Sequence, residues 1–207
     1  MAVELVTTDG VFALDGGEWE VTNNIWLVGD DREVVVVDAA HDHEPIVRAV
    51  RGRRVRAIAL THGHNDHIGA AVALRDAVDA PVLLHPDDRM LWDAVHPGAS
   101  PDAALVPGEV LRAGGVELAV LHTPGHSPGC CCFHDAGSGT VFSGDTLFCG
   151  GPGATGRSHS HFPTIIDSIR RHLLTLPPET VVHTGHGEST TIAAEAPMLE
   201  EWVRRGH

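Results

Sequence analysis

His62-Gly63-His64-Asn65-Asp66-His67 sets three histidines and an aspartate within six residues, directly after the apolar run Val55-Arg56-Ala57-Ile58-Ala59-Leu60. The run predicts a strand that ends at Thr61 and hands the cluster to a loop. In α/β sheets, reacting groups are presented at the ends of strands. Imidazole and carboxylate together suit Zn²⁺, and also Fe, Mn or Co. A solvated surface loop has no need of that donor density, so the stretch reads as metal-binding.

Three residues further along share this context. His126 lies in Thr123-Pro124-Gly125-His126-Ser127-Pro128-Gly129, Asp145 in Phe142-Ser143-Gly144-Asp145-Thr146, and His186 in His183-Thr184-Gly185-His186-Gly187. Each follows or ends an expected strand and adjoins glycine, which permits tight turns and close backbone approach. Four strand-end loops can therefore converge and present His62, His64, Asp66, His67, His126, Asp145 and His186. Seven donors suffice for two ions. His62, His64 and His126 would hold one, Asp66, His67 and His186 the other, with Asp145 bridging. Such a pair sits ~3.5–4 Å apart and lowers the pKa of water toward ~7, giving a bridging hydroxide as nucleophile.

Around these loops the chain reads as strands with helices interspersed. Asn24 to Val28 and Glu33 to Asp38 flank a hairpin turn at Gly29-Asp30-Asp31-Arg32. Helices are expected at 45–51, from His67 through 78, at 86–92, at 163–174 with Ile165, Ile166, Ile169, Leu173 and Leu174 on one side, and at 197–205. Strands are expected at 81–84, 116–121, 130–134, 140–143 and 180–183, and loops at 96–107 and 149–161. This order predicts an α/β (α+β) fold, a four-layer αββα sandwich of two mixed sheets flanked by helices. It is expected to form one domain over residues 1–207.

Composition narrows the function. A net charge of −14 lacks the basic footprint of a nucleic-acid binder, so neither nucleic acid nor an anionic membrane is an expected partner. All 14 basic side chains are arginine, and tyrosine is absent. That excludes a Schiff-base lysine, a P-loop lysine and a tyrosine acid. Met1-Ala2-Val3-Glu4-Leu5 has no basic leader followed by a long apolar stretch, so no signal peptide is expected. Cys130, Cys131 and Cys132 are consecutive, and with Cys149 they make a poor disulfide framework. A cytoplasmic protein is the expectation.

Taken together, the four motifs resemble those of the metallo-β-lactamase fold superfamily. Residues 62–67 are similar to its HxHxDH signature, and His126, Asp145 and His186 stand in its later motifs in matching order, over about residues 5–205. Within the superfamily the chain is most similar to glyoxalase II, the hydroxyacylglutathione hydrolases, in Asp66-His67 and in Gly144-Asp145-Thr146-Leu147-Phe148 followed by Gly150-Gly151. The resemblance implies the αββα sandwich, two Zn²⁺ (Fe or Mn as alternatives) and a thioesterase, with Asp66 orienting the nucleophile. Glyoxalase II adds a C-terminal helical domain and grips glutathione with lysine and tyrosine. Here 21 residues follow His186, and both residue types are missing. The expected substrate is thus a small-molecule thioester of a mycothiol- or glutathione-type thiol. Alternatives are a persulfide dioxygenase with one Fe(II) on His62, His126 and Asp145, a lactonase or β-lactamase-like hydrolase, and a non-catalytic metal-binding protein.

Further residues have candidate roles near the site. Arg157 is the only cation between Asp145 and the helix at 163, and could take a substrate carboxylate or phosphate; the alternative is a structural ion pair. Cys149 is a second candidate substrate contact. Asp38 resembles an aspartate that supports the metal loops from behind. His41, His43, His159 and His161 are expected to face solvent, and Cys130 to Cys132 to act as small buried hydrophobes.

Overall fold

Side chains alternate across a strand, and the valine run 34–37 uses both faces. Val34 and Val36 enter one apolar core, Val35 and Val37 another. The computed structural model describes residues 2–206. Its first sheet runs β1 (Ala2–Leu14), β2 (Gly17–Gly29), β3 (Glu33–Val37), β4 (Arg54–Ala59), β5 (Val82–Leu84) and β6 (Ala103–Ala104), in that order across the sheet. Pairing is antiparallel from β1 to β3 and parallel from β3 to β6. The second sheet comprises β7 (Val110–Ala113), β8 (Val116–His122), β9 (Cys131–Asp135), β10 (Thr140–Gly144), β13 (Val181–Thr184) and β14 (Thr190–Thr191). Its order is β14-β13-β10-β9-β8-β7, with β10 and β13 parallel. A small hairpin, β11 (Leu147–Phe148) with β12 (Gly151–Pro152), follows Asp145.

Three cores separate four layers. The middle one joins the two sheets through Trp26, Val35, Val37, Phe133 and Phe142. On the outer face of the first sheet, Ile25, Leu27, Ile58 and Leu60 pack beneath α1 (His43–Val50), α3 (Ala71–Val78) and α4 (Arg89–Val95). On the outer face of the second, Cys132, Val141 and Val182 pack beneath α5 (Phe162–Ser168), its π-helical continuation Ile169–Leu173, α6 (Ile192–Glu195) and α7 (Leu199–Arg205). This is the expected αββα sandwich of two mixed sheets.

Several local expectations change. The helix expected from His67 begins earlier, as α2 (Asn65–Ile68), and is interrupted before α3. The chain after β3 causes the break: Ala39 N–H donates to His67 C=O at 2.9 Å, and Ala70 N–H donates to Ala39 C=O at 2.9 Å. The expected loop at 96–107 contributes β6, and the loop at 149–161 opens with the β11–β12 hairpin. The last helix is preceded by α6 and the 3₁₀ turn Ala196–Met198. β1 was not assigned from sequence. It is an edge strand whose residues are exposed or half-buried except for Thr8, with polar residues and a glycine at 7–10 breaking its apolar pattern.

Phe133 is fully buried between the sheets. Phe133→Ala should destabilise the protein by about 3–5 kcal/mol, measured by urea denaturation, because both flanking sheets resist collapse into the cavity.

Candidate metal centre and cleft

Six segments from both sheets meet at one end of the sandwich. β3 delivers Asp38, and β4 delivers Thr61 and His62; His64 then sits just before α2, and Asp66 and His67 lie within it. β8 leads to His126, β10 to Asp145 and β13 to His186. Glycine is required where the loops touch. Gly144 has φ +49°, and a Cβ there would lie 2.5 Å from Thr61. A Cβ on Gly185 would lie 2.3 Å from Asp145 Oδ1 and 2.8 Å from His67 Cε1.

The seven expected donors come together. His64 Nδ1 lies 3.0 Å from both His62 Nε2 and His126 Nε2. His67 Nε2 lies 3.2 Å from His186 Nε2, and Asp66 Oδ2 is 3.5 Å from the first and 3.3 Å from the second. Asp145 spans the two triads, with Oδ1 3.3 Å from His67 Nε2 and Oδ2 3.5 Å from both His126 Nε2 and His186 Nε2. Nitrogens bound to a common tetrahedral zinc at ~2.0–2.1 Å lie about 3.3 Å apart. The spacing therefore fits ions between the donors. The polar inventory agrees: Asp66 Oδ1 and Asp145 Oδ1 are buried and have no hydrogen-bond partner, a costly state unless a cation or water meets them.

Hydrogen bonds behind the rings fix their direction. Asp38 is buried, with a left-handed backbone at φ +65°. It accepts from His67 Nδ1 at 2.9 Å and from Thr61 N–H at 2.7 Å. Thr61 Oγ1 also donates to Asp38 and in turn accepts from His62 Nδ1 at 3.1 Å. His126 Nδ1 donates to Ala154 C=O and His186 Nδ1 to Thr22 C=O, each at 2.8 Å. Four Nε2 lone pairs are thereby turned inward, the usual arrangement behind metal-binding histidines.

Electrostatics matches this geometry. Burial and the neighbouring histidines push His62 well below its ordinary pKa and His64 to about 3. Burial would also lower His67, but Asp145, Asp66 and Asp38 outweigh it and hold His67 well above the ordinary value. Burial and Asp145 oppose each other likewise at His186, which is raised to about 10. Burial would raise Asp66, but His67 and hydrogen bonds from His186 and Asn23 hold it at about 2. The carboxylates make a field that demands positive charge, supplied by protons or by metal ions.

Four residues emerge that sequence reading missed. Asn23 on β2 is fully buried and donates to Asp66 Oδ2 at 3.0 Å. His41 donates to Asn23 Oδ1 at 2.7 Å, so His41 is half-buried rather than solvent-facing. Asp88 is fully buried and accepts from Gly63 N–H at 2.7 Å, Gly129 N–H at 2.6 Å and Ser127 Oγ at 2.6 Å, tying together the loops of His62 and His126. Asn65 clamps the backbone of β1: its Oδ1 accepts from Ala13 N–H at 2.8 Å and its Nδ2 donates to Val11 C=O at 2.7 Å. The available signal was a buried-strand Asn-Asn pair at 23–24 and an acidic pair at 87–88, neither of which names its distant partner.

Above the centre is a cavity of about 260 Å³, lined by Phe12, Leu14, Trp19, Val21, Phe148 and Arg157 as well as by His64, Asp66, His126, Asp145 and His186. Arg157 therefore reaches the cleft, and it forms no structural ion pair among the described residues. Cys149 does not reach it. It occupies the exposed turn of the β11–β12 hairpin, while its neighbour Phe148 faces the cavity. His159 and His161 are exposed, and His43 is half-buried. Burial raises the thiol pKa of Cys130 and Cys131, and takes Cys132 to about 11. A separate group, His85, Asp87 and His122, has its two rings stacked 4.0 Å apart at 12°. One ring nitrogen of each is already engaged, His122 Nε2 with Pro128 C=O at 2.9 Å and His85 Nδ1 with Asp87 N–H at 3.3 Å.

The family profile described as "Metallo-beta-lactamase superfamily" matches residues 19–186. The chain is 36% identical over 187 residues to "Probable metallo-hydrolase YqgX" of Bacillus subtilis, covering 84% of this chain and 88% of that one. It is 31% identical over 186 residues to hydroxyacylglutathione hydrolase GloC of Haemophilus influenzae, covering 83% and 87%. Among solved structures, TTHA1623 in a di-iron-bound form is 37% identical with TM-score 0.76, covering 85% of this chain and 93% of that one. BLEG-1 B3 metallo-β-lactamase is 32% identical with TM-score 0.78, covering 92% and 97%.

Three predictions follow from the geometry and its charges. His67 and His186, held above the ordinary histidine value, carry protons at pH 7 that an incoming ion must displace, whereas His62, His64 and Asp66 are held below their ordinary values. Zn²⁺ titrated into stripped, weakly buffered protein should therefore release protons, and affinity should fall with falling pH. Conversely, the stripped protein should lose the stabilisation due to protonated His186 as pH rises from 6.5 toward about 10. Asp88→Ala leaves the backbone N–H groups of Gly63 and Gly129 unpaired, so it should cost about 2–6 kcal/mol in denaturant melts and weaken metal binding in a chelator competition.

Proposed function

This chain belongs to the metallo-β-lactamase superfamily, and we propose that it is a dinuclear zinc hydrolase of small-molecule thioesters. The observation that carries this reading is a donor set that divides into two triads spanned by one aspartate, under an apolar cavity. Two Zn²⁺ ions, held by His62, His64 and His126 and by Asp66, His67 and His186 with Asp145 between, would supply Lewis acidity toward the thioester carbonyl and toward a water. The likeness to GloC, named as a hydroxyacylglutathione hydrolase, supports a thioester as the substrate.

The side chains have distinct tasks. Asp66 stays ionised, held by His67, His186 and Asn23, and its unpartnered Oδ1 is available to orient the attacking water and accept its proton. Asp38 and Thr61 keep the rings of His67 and His62 directed at the centre. Phe12, Phe148 and Trp19 wall the cleft against bulk water. Addition of water to the carbonyl carbon and loss of the C–S bond give a carboxylate and a thiolate. A thiol of ordinary pKa ≈ 8.5 leaves without a general acid, which suits a cleft that has no tyrosine or lysine.

The rival with one Fe(II) on His62, His126 and Asp145 leaves the second triad without a task, although the di-iron form of TTHA1623 keeps iron open as the metal. Metal analysis and a panel of acyl-thiols, lactones and β-lactams test the proposal. The expected result is roughly two zinc per chain and preferential thioester hydrolysis, with Asp66→Asn folded but lower in kcat by ~100-fold or more. A folded, two-metal protein inert on every acyl-thiol overturns it. Iron with oxygen uptake on a thiol persulfide would put the rival in its place.

A further inference from the structure

Arg157 stands apart from the other arginines. Among the described residues three arginines are half-buried: Arg53, Arg75 and Arg157. Arg53 pairs with Glu4 at 2.7 Å and Arg75 with Asp76 at 3.0 Å. Among the described residues the Arg157 guanidinium has no carboxylate within ion-pair distance, in a chain with 28 acidic side chains. Asp15 feels its charge only at longer range and spends an oxygen on Ser158 N–H at 2.9 Å. The guanidinium lies instead on the Trp19 ring, 3.8 Å from its centroid, with Phe12 at 5.2 Å.

The position is built, not incidental. Ser160 Oγ accepts from Gly156 N–H at 2.9 Å and Arg157 N–H at 3.1 Å, and donates to Arg157 C=O at 2.7 Å. Ser158, bound to Asp15, fastens the same segment to the tip of the β1–β2 hairpin. Phe12 reaches back to the metal loop, with its ring 5.2 Å from that of His64. Stacking on an aromatic face leaves the N–H fork in the guanidinium plane free to meet a carboxylate or phosphate bidentately. An unpaired, partly desolvated cation held rigid in a cleft is preorganised for an anion.

We infer that Arg157, seated on Trp19 and Phe12, is an anion-binding subsite of the cleft, and that the substrate carries a carboxylate or phosphate apart from the scissile carbonyl. The inference rests on the thioesterase reading for its choice of substrates. It adds that neutral thioesters are poor ones. The anion can belong to the thiol half or the acyl half, and matched compounds separate the two.

S-Acetyl-N-acetylcysteine and S-acetyl-N-acetylcysteamine differ by one carboxylate on the thiol half. S-Succinyl- and S-butyryl-N-acetylcysteamine differ by one on the acyl half. Binding is read separately from hydrolysis by calorimetry with non-hydrolysable ketone analogues of the same four compounds, using the metal-loaded protein. The wild type should prefer the charged member of at least one pair by roughly tenfold to a hundredfold in KM and in analogue affinity. Arg157→Gln should abolish that preference by weakening the charged member far more than the neutral one, with metal content retained, and be partly rescued in Arg157→Lys. Equal affinity for both members of each pair, no binding of any analogue, or an Arg157→Gln loss shared equally by charged and neutral compounds overturns the inference. Charge-selective analogue binding without thioester turnover would sustain the subsite while removing the thioesterase reading. Turnover indifferent to charge would do the reverse.

Discussion

Three carboxylates, Asp38, Asp66 and Asp145, are buried among five histidines at the end of an apolar sandwich. Burying that much negative charge is prohibitive without positive charge beside it. Everything at this end of the molecule answers that constraint. Strand ends from both sheets meet there, the rings are pinned from behind, and glycine stands where a Cβ would push the acids apart. The two sheets are held in register at the same place: Trp26 Nε1 donates to Thr184 C=O at 3.0 Å, and Asn24 N–H donates to Gly185 C=O at 2.8 Å. Metal chemistry and sheet packing are thus one problem, solved with one set of contacts.

The polar ties between loops have a common form. Asp88 serves two loops with one carboxylate, Asp38 two histidines, and Asn65 two backbone groups of β1. Each ties a donor loop to a neighbour that carries no donor of its own. Precision at the centre then does not depend on any single loop's stiffness, which loops of glycine, proline and serine would not provide.

Much of this was legible in the sequence because it is periodic or local. The apolar run Val34 to Val37 and the motifs at 62–67, 126, 145 and 186 are written within a few residues each, and they mark out strands and donors. What was not legible is long-range. Asn23 finds Asp66 across 43 residues, Asp88 finds Gly129 across 41, and the Ser158 backbone finds Asp15 across 143. No local pattern encodes such partners. Cys149 shows the opposite error: closeness in sequence to Asp145 suggested the cleft, but a two-residue hairpin step turns it outward. Arg157 reads from the sequence as a lone cation, and its aromatic seat exists only once Phe12 and Trp19 fold beside it.

The hairpin that supplies those aromatics is mechanically unlike the rest. β2 pairs with β3 only from Trp26 to Gly29, and from Asp9 to Thr22 the two strands bond chiefly to each other and project past the sheet. A two-stranded ribbon is marginal in water on its own. Beyond Thr8 its local opening free energy is therefore set by a handful of docking contacts, of Asn65 on Val11 and Ala13, His186 on Thr22 and Ser158 on Asp15, since no residue from Asp9 to Thr22 enters the three cores. The cleft wall carried by Phe12 and Trp19 can consequently open locally without unpacking the cores beneath the donor cluster.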